Sequence, residues 1–252
     1  MRKLIAAIMV AGAALVGGQA IAADLPYYPP VIEIPDVDYG VQGSFYLRGS
    51  AAGNALWAKE ASAYECVACG GTSVITNFPF VAMGYGYSVG AGVGYETGTG
   101  LRVDATVDLI GNEGLKVTKD ATYGARQGDY TLKLRSTLAL ANAYYDFSFG
   151  GDYGYGAAGG AFGYVGAGTG VAFNNFEVSS PAGVTVPSGD NVSFAAAGMV
   201  GVGYDFGALV ADVGYRAVYI NRISNDVAFP DTVTTDHNWL HEVRGTLRYR
   251  FN

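Results

Sequence analysis

Few residues in this sequence are spaced for chemistry. Cys66 and Cys69 are its only cysteines, in a C-x-x-C arrangement. In an exported chain an even cysteine count points to a disulfide. Two thiols leave a four-ligand zinc site incomplete, and a thioredoxin-type redox pair needs a βαβ context that is missing here. The pair reads as a small loop disulfide, with free thiols as the alternative and redox or metal use as a third. His237 and His241 stand four apart. That is metal spacing on a helix; on a strand it only places both on one face. No Ser lies two residues from either, and Glu242 points away from the His241 face, so no hydrolytic constellation assembles. Gly154–Gly159 spells G-x-G-x-x-G, but its surroundings are strand-like and no helix follows, so the dinucleotide fingerprint fails. These residues predict no enzyme, no metal and no cofactor.

The remaining polar chemistry is charge at alternate positions. Over 101–109, Arg102, Asp104, Thr106 and Asp108 share one face, and Leu101, Val103, Ala105, Val107 and Leu109 share the other. A helix would mix these sets; a strand separates them. Segment 239–251 sets Glu242, Arg244, Thr246, Arg248 and Arg250 opposite Trp239, Val243, Leu247, Tyr249 and Phe251. Segments 41–51 and 209–219 do the same with Arg48, and with Asp212 and Arg216. Segments 81–95 and 192–206 alternate apolar residues with a glycine-rich face that ends in Glu96 and Asp205. Segment 131–147 carries Leu132, Leu134, Leu138, Leu140 and Tyr144 against Lys133, Arg135 and Thr137. Segment 153–173 is glycine-rich, with no clear register.

Eight alternating segments need an architecture. Their connections are alternately long and short. The turns at 97–100, 148–152 and 207–208 are tight; those between 51 and 81, 109 and 131, 173 and 192, and 219 and 239 are long. Long loops at one end and short turns at the other mark an outer-membrane barrel. Tyr95, Phe147, Tyr153, Tyr155, Tyr204, Phe206, Tyr249 and Phe251 gather at the short-turn end, as an interfacial aromatic girdle would. Phe80, Phe173, Tyr219 and Trp239 form a looser opposite girdle. The expected fold is all-β: an eight-stranded antiparallel transmembrane up-and-down β-barrel. A soluble lipocalin-like barrel is the rival, with apolar side chains turned inward.

Composition supports the membrane reading. Only 15% of residues are charged, against roughly 25% in soluble domains. Beyond the N-terminus no apolar run approaches the ~18 residues of a membrane helix. Arg2 and Lys3, the apolar stretch 4–17 and Ala20-Ile21-Ala22 read as a signal peptide over 1–22. Proline-rich 23–39 is an extended lead-in, and 40–252 is the barrel. Losing Arg2 and Lys3 takes the formal charge from −7 to −9. Such acidity argues against nucleic-acid binding.

An eight-stranded barrel has an interior that side chains can fill. The predicted inward charges are Arg48, Glu96, Arg102, Asp104, Asp108, Lys133, Arg135, Asp205, Asp212, Arg216, Glu242, Arg244, Arg248 and Arg250. Their near balance suits a network of buried pairs that closes the lumen. A narrow or gated ion path is the alternative.

The mature start Ala23-Asp24-Leu25-Pro26, the turns Gly92-Val-Gly-Tyr-Glu96 and Gly201-Val-Gly-Tyr-Asp205, and the aromatic last strand resemble the small outer-membrane β-barrel proteins of alphaproteobacteria. The resemblance spans residues 40–252. One departure is Asn252, which follows Phe251 where such barrels end on an aromatic. The resemblance implies an OmpA-like membrane domain and a surface-antigen or haemin-binding type of protein. It leads to an expectation of an envelope-integrity and surface-interaction role. The partners would be outer-membrane lipid, lipopolysaccharide and a host or surface ligand at the loops, and the barrel would be a monomer. A small porin, and haemin capture through His237, His241 or a loop tyrosine, are the alternatives.

Overall fold

The computed structural model describes residues 43–66, 73–119, 128–149, 160–179, 187–227 and 232–251. The expected signal peptide and lead-in, Cys69, Tyr153, Tyr155 and the Gly154–Gly159 segment lie outside the described residues.

The described regular structure is all strand: β1 (Ser44–Trp57), β2 (Glu60–Cys66), β3 (Ser73–Ala82), β4 (Gly84–Glu96), β5 (Leu101–Lys119), β6 (Gly128–Ser148), β7 (Gly160–Ser179), β8 (Gly189–Asp205), β9 (Leu209–Ser224) and β10 (Val233–Phe251). β1 passes into β2, and β3 into β4, as two long staves. β1 pairs with β4 and β10, while β2 pairs with β3 and β10. Every neighbour is antiparallel, and the β1–β10 ladder from Phe45↔Phe251 to Trp57↔Trp239 closes a ring of eight staves.

The long connections expected from the sequence are mostly strand. β2 and β3 occupy the first, β5 runs to Lys119, β6 starts at Gly128, β7 runs to Ser179, and β9 and β10 extend to Ser224 and from Val233. The expected short turn at 148–152 lies mostly outside the described residues; β6 ends at Ser148 and β7 begins at Gly160.

A line of irregularities explains where alternation is lost. Asn112 and Leu115 on β5 are both buried, as are Ile220 and Ile223 on β9, Thr235 and Asn238 on β10, and Ala58 and Ala61 at the β1–β2 join. Inward positions on a regular strand differ by two or four; on β5 the spacing of three comes with a one-residue register shift against β6, a bulge that kinks and twists the strand, whereas β2, β9 and β10 change step together with their register kept. Gly114 (φ 87°) and His237 (φ 55°) take left-handed backbone at two of these places. The irregularities are in register. Ala61 pairs with Thr235, and Thr235 with Ile223, across adjoining staves. Above this line the β8–β9 ladder stops at Ala195↔Ile220. Side chains then stitch the two strands: Asn191 Nδ2 donates to the Arg222 carbonyl at 3.1 Å, and the Ser224 N–H donates to Asn191 Oδ1 at 3.0 Å.

Below this line the wall has inverted polarity. Phe45, Leu47, Val89, Val93, Leu101, Val103, Val107, Leu109, Val200, Val202, Val213, Val243 and Leu247 are exposed on the outside. Arg102, Asp104, Asp108, Arg216, Glu242 and Arg248 are buried inside. Toward the long-connection end the interior becomes apolar. Leu56, Leu115, Leu132, Leu134, Leu138, Leu140, Phe176, Ile220, Ile223 and Leu240 pack there as one cluster.

β6 corrects the sequence reading. Its leucines and Tyr144 face the interior, while Lys133 and Arg135 face outward. The cause is volume. The inward positions of neighbouring β7 are Gly166, Gly168, Gly170 and Ala172, paired with Tyr144, Asn142, Leu140 and Leu138. The small face leaves space that large residues on β6 fill. A Cβ at Gly166 would lie 2.4 Å from the Tyr144 ring.

Candidate functional site

The barrel interior carries the densest chemistry, arranged in layers. Uppermost, next to the apolar cluster, Asp108 accepts from Arg216 Nη1 at 2.7 Å and from Arg244 Nη1 at 2.6 Å. Glu242 accepts from Arg216 Nε at 2.5 Å, Arg244 Nη2 at 3.1 Å and Ser88 Oγ at 2.6 Å. Arg244 also donates to Ser50. Asn54 links this layer to β4 and β5: it donates to Ser88 at 2.9 Å and accepts from Asn112 at 2.8 Å. Each guanidinium thus bridges both carboxylates, pairing two charges with two, while Arg216 Nη2 and Arg244 Nε stay buried without a hydrogen-bond partner among the described residues.

One layer down, Asp104 is the hub. Arg48 Nη1 donates to it at 2.8 Å, Tyr46 Oη at 3.0 Å and Asn142 Nδ2 at 2.8 Å. Arg48 also donates to Tyr144 Oη at 2.7 Å. Below, Arg102 Nε binds both oxygens of Asp146, at 3.0 and 2.8 Å, and its guanidinium lies 3.8 Å from the Tyr144 ring centroid. Arg248 stands among Glu96, Asp146 and Asp212 at 3.6, 3.8 and 3.6 Å, between the rings of Tyr46 and Phe162. At the short-turn mouth Arg250 pairs with Glu96 and, at 2.5 Å, with Asp205.

Twelve of the expected inward residues therefore meet in the interior: Arg48, Glu96, Arg102, Asp104, Asp108, Asp205, Asp212, Arg216, Glu242, Arg244, Arg248 and Arg250. Lys133 and Arg135 do not. Lys133 pairs on the outside with Glu113 at 2.8 Å. Asp146 was not expected, yet it neutralises Arg102. It alternates with Tyr144 and Leu140, so the same reversal of β6 hid it. Tyr46, Tyr144, Tyr164 and Phe162 were also missed as interior groups. Tyr46 was legible, since it alternates with Arg48. Tyr164 lies in the glycine-rich segment, where no register could be read.

Glycines admit these groups. A Cβ at Gly90 would sit 1.9 Å from Asp108 Oδ1. The space opposite the inward glycines is filled by rings and carboxylates. One interior cavity, of about 10 Å³, is bordered by Arg48, Arg102, Tyr144, Tyr164, Asp212 and Arg244. That is at the lower limit for a single water.

The other expected sites lie apart. His237 and His241 are on the outer wall, where their Nδ1 atoms meet Tyr219 Oη at 2.7 Å and Tyr215 Oη at 2.5 Å. Cys66 closes β2, its backbone paired with Ser73; its expected partner Cys69 is outside the described residues. Among the described residues no group of three His, Cys, Asp or Glu is arranged to hold a metal.

The outer wall has aromatic borders at both ends. Phe147, Tyr204, Phe206, Tyr249 and Phe251 are exposed at the short-turn end. Trp57, Tyr85, Tyr87, Phe173 and Trp239 are exposed near the line of irregularities.

This is an eight-stranded antiparallel up-and-down barrel with a charged, packed interior. Among solved structures it is similar to the outer membrane protein OprG from Pseudomonas aeruginosa, at 14% identity and TM-score 0.51, covering 83% of this chain and 97% of that one. It is also similar to Neisserial surface protein A, at 19% identity and TM-score 0.48, covering 82% and 97%. No family model matches the sequence, and no curated protein matches it.

Proposed function

We propose that this chain is an exported outer-membrane barrel with an envelope-integrity and surface-interaction role. Residues 1–22 act as its signal peptide, 23–39 as an extended lead-in and 40–252 as the barrel. The observation that carries the reading is the inverted polarity of the wall. Val103, Val107, Leu109, Val202, Val243 and Leu247 are exposed outside while Arg102, Asp108, Glu242 and Arg248 are buried inside. In water that arrangement would waste the hydrophobic driving force; in a bilayer it anchors the barrel. The short turns then face the periplasm, and the strand ends at Cys66, Lys119, Ser179 and Ser224 face outward. The resemblance of the turns and the last strand supports an alphaproteobacterial, OmpA-like family.

The mechanism is passive. The ring leaves no open sheet edge, which supports a monomer. The ion pairs and the apolar cluster above them close the lumen, and the outer tips meet lipopolysaccharide or a host ligand. The buried charges and rings that fill the interior favour a plug over a pore.

Gel mobility of isolated outer membranes, boiled against unboiled, tests the reading. A closed strand ladder resists detergent, so the unboiled protein should migrate differently. The folded protein should also give no conductance steps in planar bilayers. A soluble periplasmic protein without a heat-dependent shift would overturn the membrane reading. Steady single-channel steps would overturn the closed lumen.

A further inference from the structure

The outward turn of Lys133 and Arg135 creates a site. We infer that Arg135 and Lys133, with Lys116 beside them, hold a phosphate of the outer-leaflet glycolipid against the barrel wall. The inference rests on the membrane reading above.

The first argument is height. Arg135 is paired with Gly111 on β5, and Leu132 with Leu115, so Lys133 lies opposite the β5 bulge at 112–115 and Arg135 just below it. Tyr85 and Tyr87, exposed on β4, pair with Glu113 and Gly111. Phe173, also exposed, pairs with Thr137, two residues below Arg135. An aromatic border of this kind marks the edge of the hydrocarbon. Counting from Ser148, Arg135 is beyond the roughly 9–11 residues that cross the apolar core. It therefore stands level with headgroups.

The second argument is unmet charge. Arg135 is exposed and makes no ion pair or hydrogen bond among the described residues. Glu113 is in its field but is bound to Lys133 Nζ at 2.8 Å. Glu177 is opposite Lys133 on β7. Asp129, further up β6, is hydrogen bonded to Thr118 at 2.8 Å. A guanidinium at the rim of an apolar surface seeks an anion, and its planar fork matches phosphate bidentately. Lys133 is two residues along the same face, about 7 Å away. Its ammonium has three donors, and Glu113 uses one. Lys116, exposed and paired in register with Thr131, is on the far side of Lys133.

The third argument is contrast. Six of the arginines, Arg48, Arg102, Arg216, Arg244, Arg248 and Arg250, are spent on interior acids. Arg222, on the outer wall, is paired with Asp236 at 2.9 Å. Arg135 differs from all of these in having no acid of its own among the described residues.

The test follows the temperature at which purified, detergent-folded protein loses its unboiled gel mobility. Lipopolysaccharide should raise that temperature for the wild type and for Lys59→Gln, a distant outer-wall control. The rise should disappear in Arg135→Gln and shrink in Lys133→Gln. Enzymatically dephosphorylated lipopolysaccharide should give no rise. Equal rises in wild type and Arg135→Gln, or an undiminished rise with dephosphorylated lipid, would overturn the inference. So would an equal rise from phosphatidylglycerol vesicles, which would assign the wall to any anionic headgroup. Arg135 makes no internal contact, so its variant should fold as the wild type does without lipid. A wild type with no heat-dependent mobility at all is a separate result that fails the membrane reading itself.

Discussion

Asp108 illustrates how the interior charges depend on one another. It is almost wholly buried and accepts from two guanidiniums, which also share Glu242. Removing one member of such a group leaves the others charged and dry. Asp108→Asn should therefore lower the unfolding free energy by about 3–5 kcal/mol. Urea titration of the heat-modifiable form would measure it, and a loss under about 1 kcal/mol would mean that water already screens the pair. Twelve of the charges in this interior were legible from alternation alone, because Asp104, Asp108 and their neighbours share a face with no apolar competitor. Asp146, Lys133 and Arg135 were not legible, because both faces of β6 are apolar near its middle.

At the scale of the strand, the irregularities matter most. Each lets a strand turn two neighbours outward and continue beyond the barrel wall. At Gly114 the backbone is left-handed and a Cβ would meet nothing within 4 Å. The cost of Gly114→Val is thus one of backbone alone, about 1–2 kcal/mol. Gly111→Val, at ordinary φ on the same strand, should cost less in the same titration. Equal losses would mean that the bulge is not what constrains residue 114. These irregularities also account for the overlong loops inferred from the sequence. Period-2 alternation fails between Asn112 and Leu115, where β5 acquires an extra residue against β6, and between Ile220 and Ile223, where β9 and β10 change step together. A reading based on alternation stops there, though the hydrogen-bonded ladder does not.

For the whole molecule the question is which solvent surrounds it. Val107 is outward near the middle of the wall, between Leu101 and the bulge. In a bilayer, Val107→Arg should destabilise the folded barrel by about 2–4 kcal/mol, while the same change near the interface costs about 0–1. Comparing Val107→Arg with Val103→Arg during folding into vesicles measures that depth dependence. In a soluble barrel neither arginine would cost much. A packed lumen and a closed ring leave the outer wall and the strand tips as the surfaces available to partners.

Alternation along the chain determined by itself that this is an up-and-down β protein, and which face of most strands carries charge, because the strand period is local and each Asp or Arg declares its side. The tertiary structure decided the face of β6, the length of the strands and the layering of the interior. Those depend on volume. Leu138, Leu140, Asn142 and Tyr144 turn inward because Ala172, Gly170, Gly168 and Gly166 stand beside them on β7, and the partner strand supplies that fact from some twenty to thirty residues away. The same packing turned Lys133 and Arg135 out of the lumen and onto the wall.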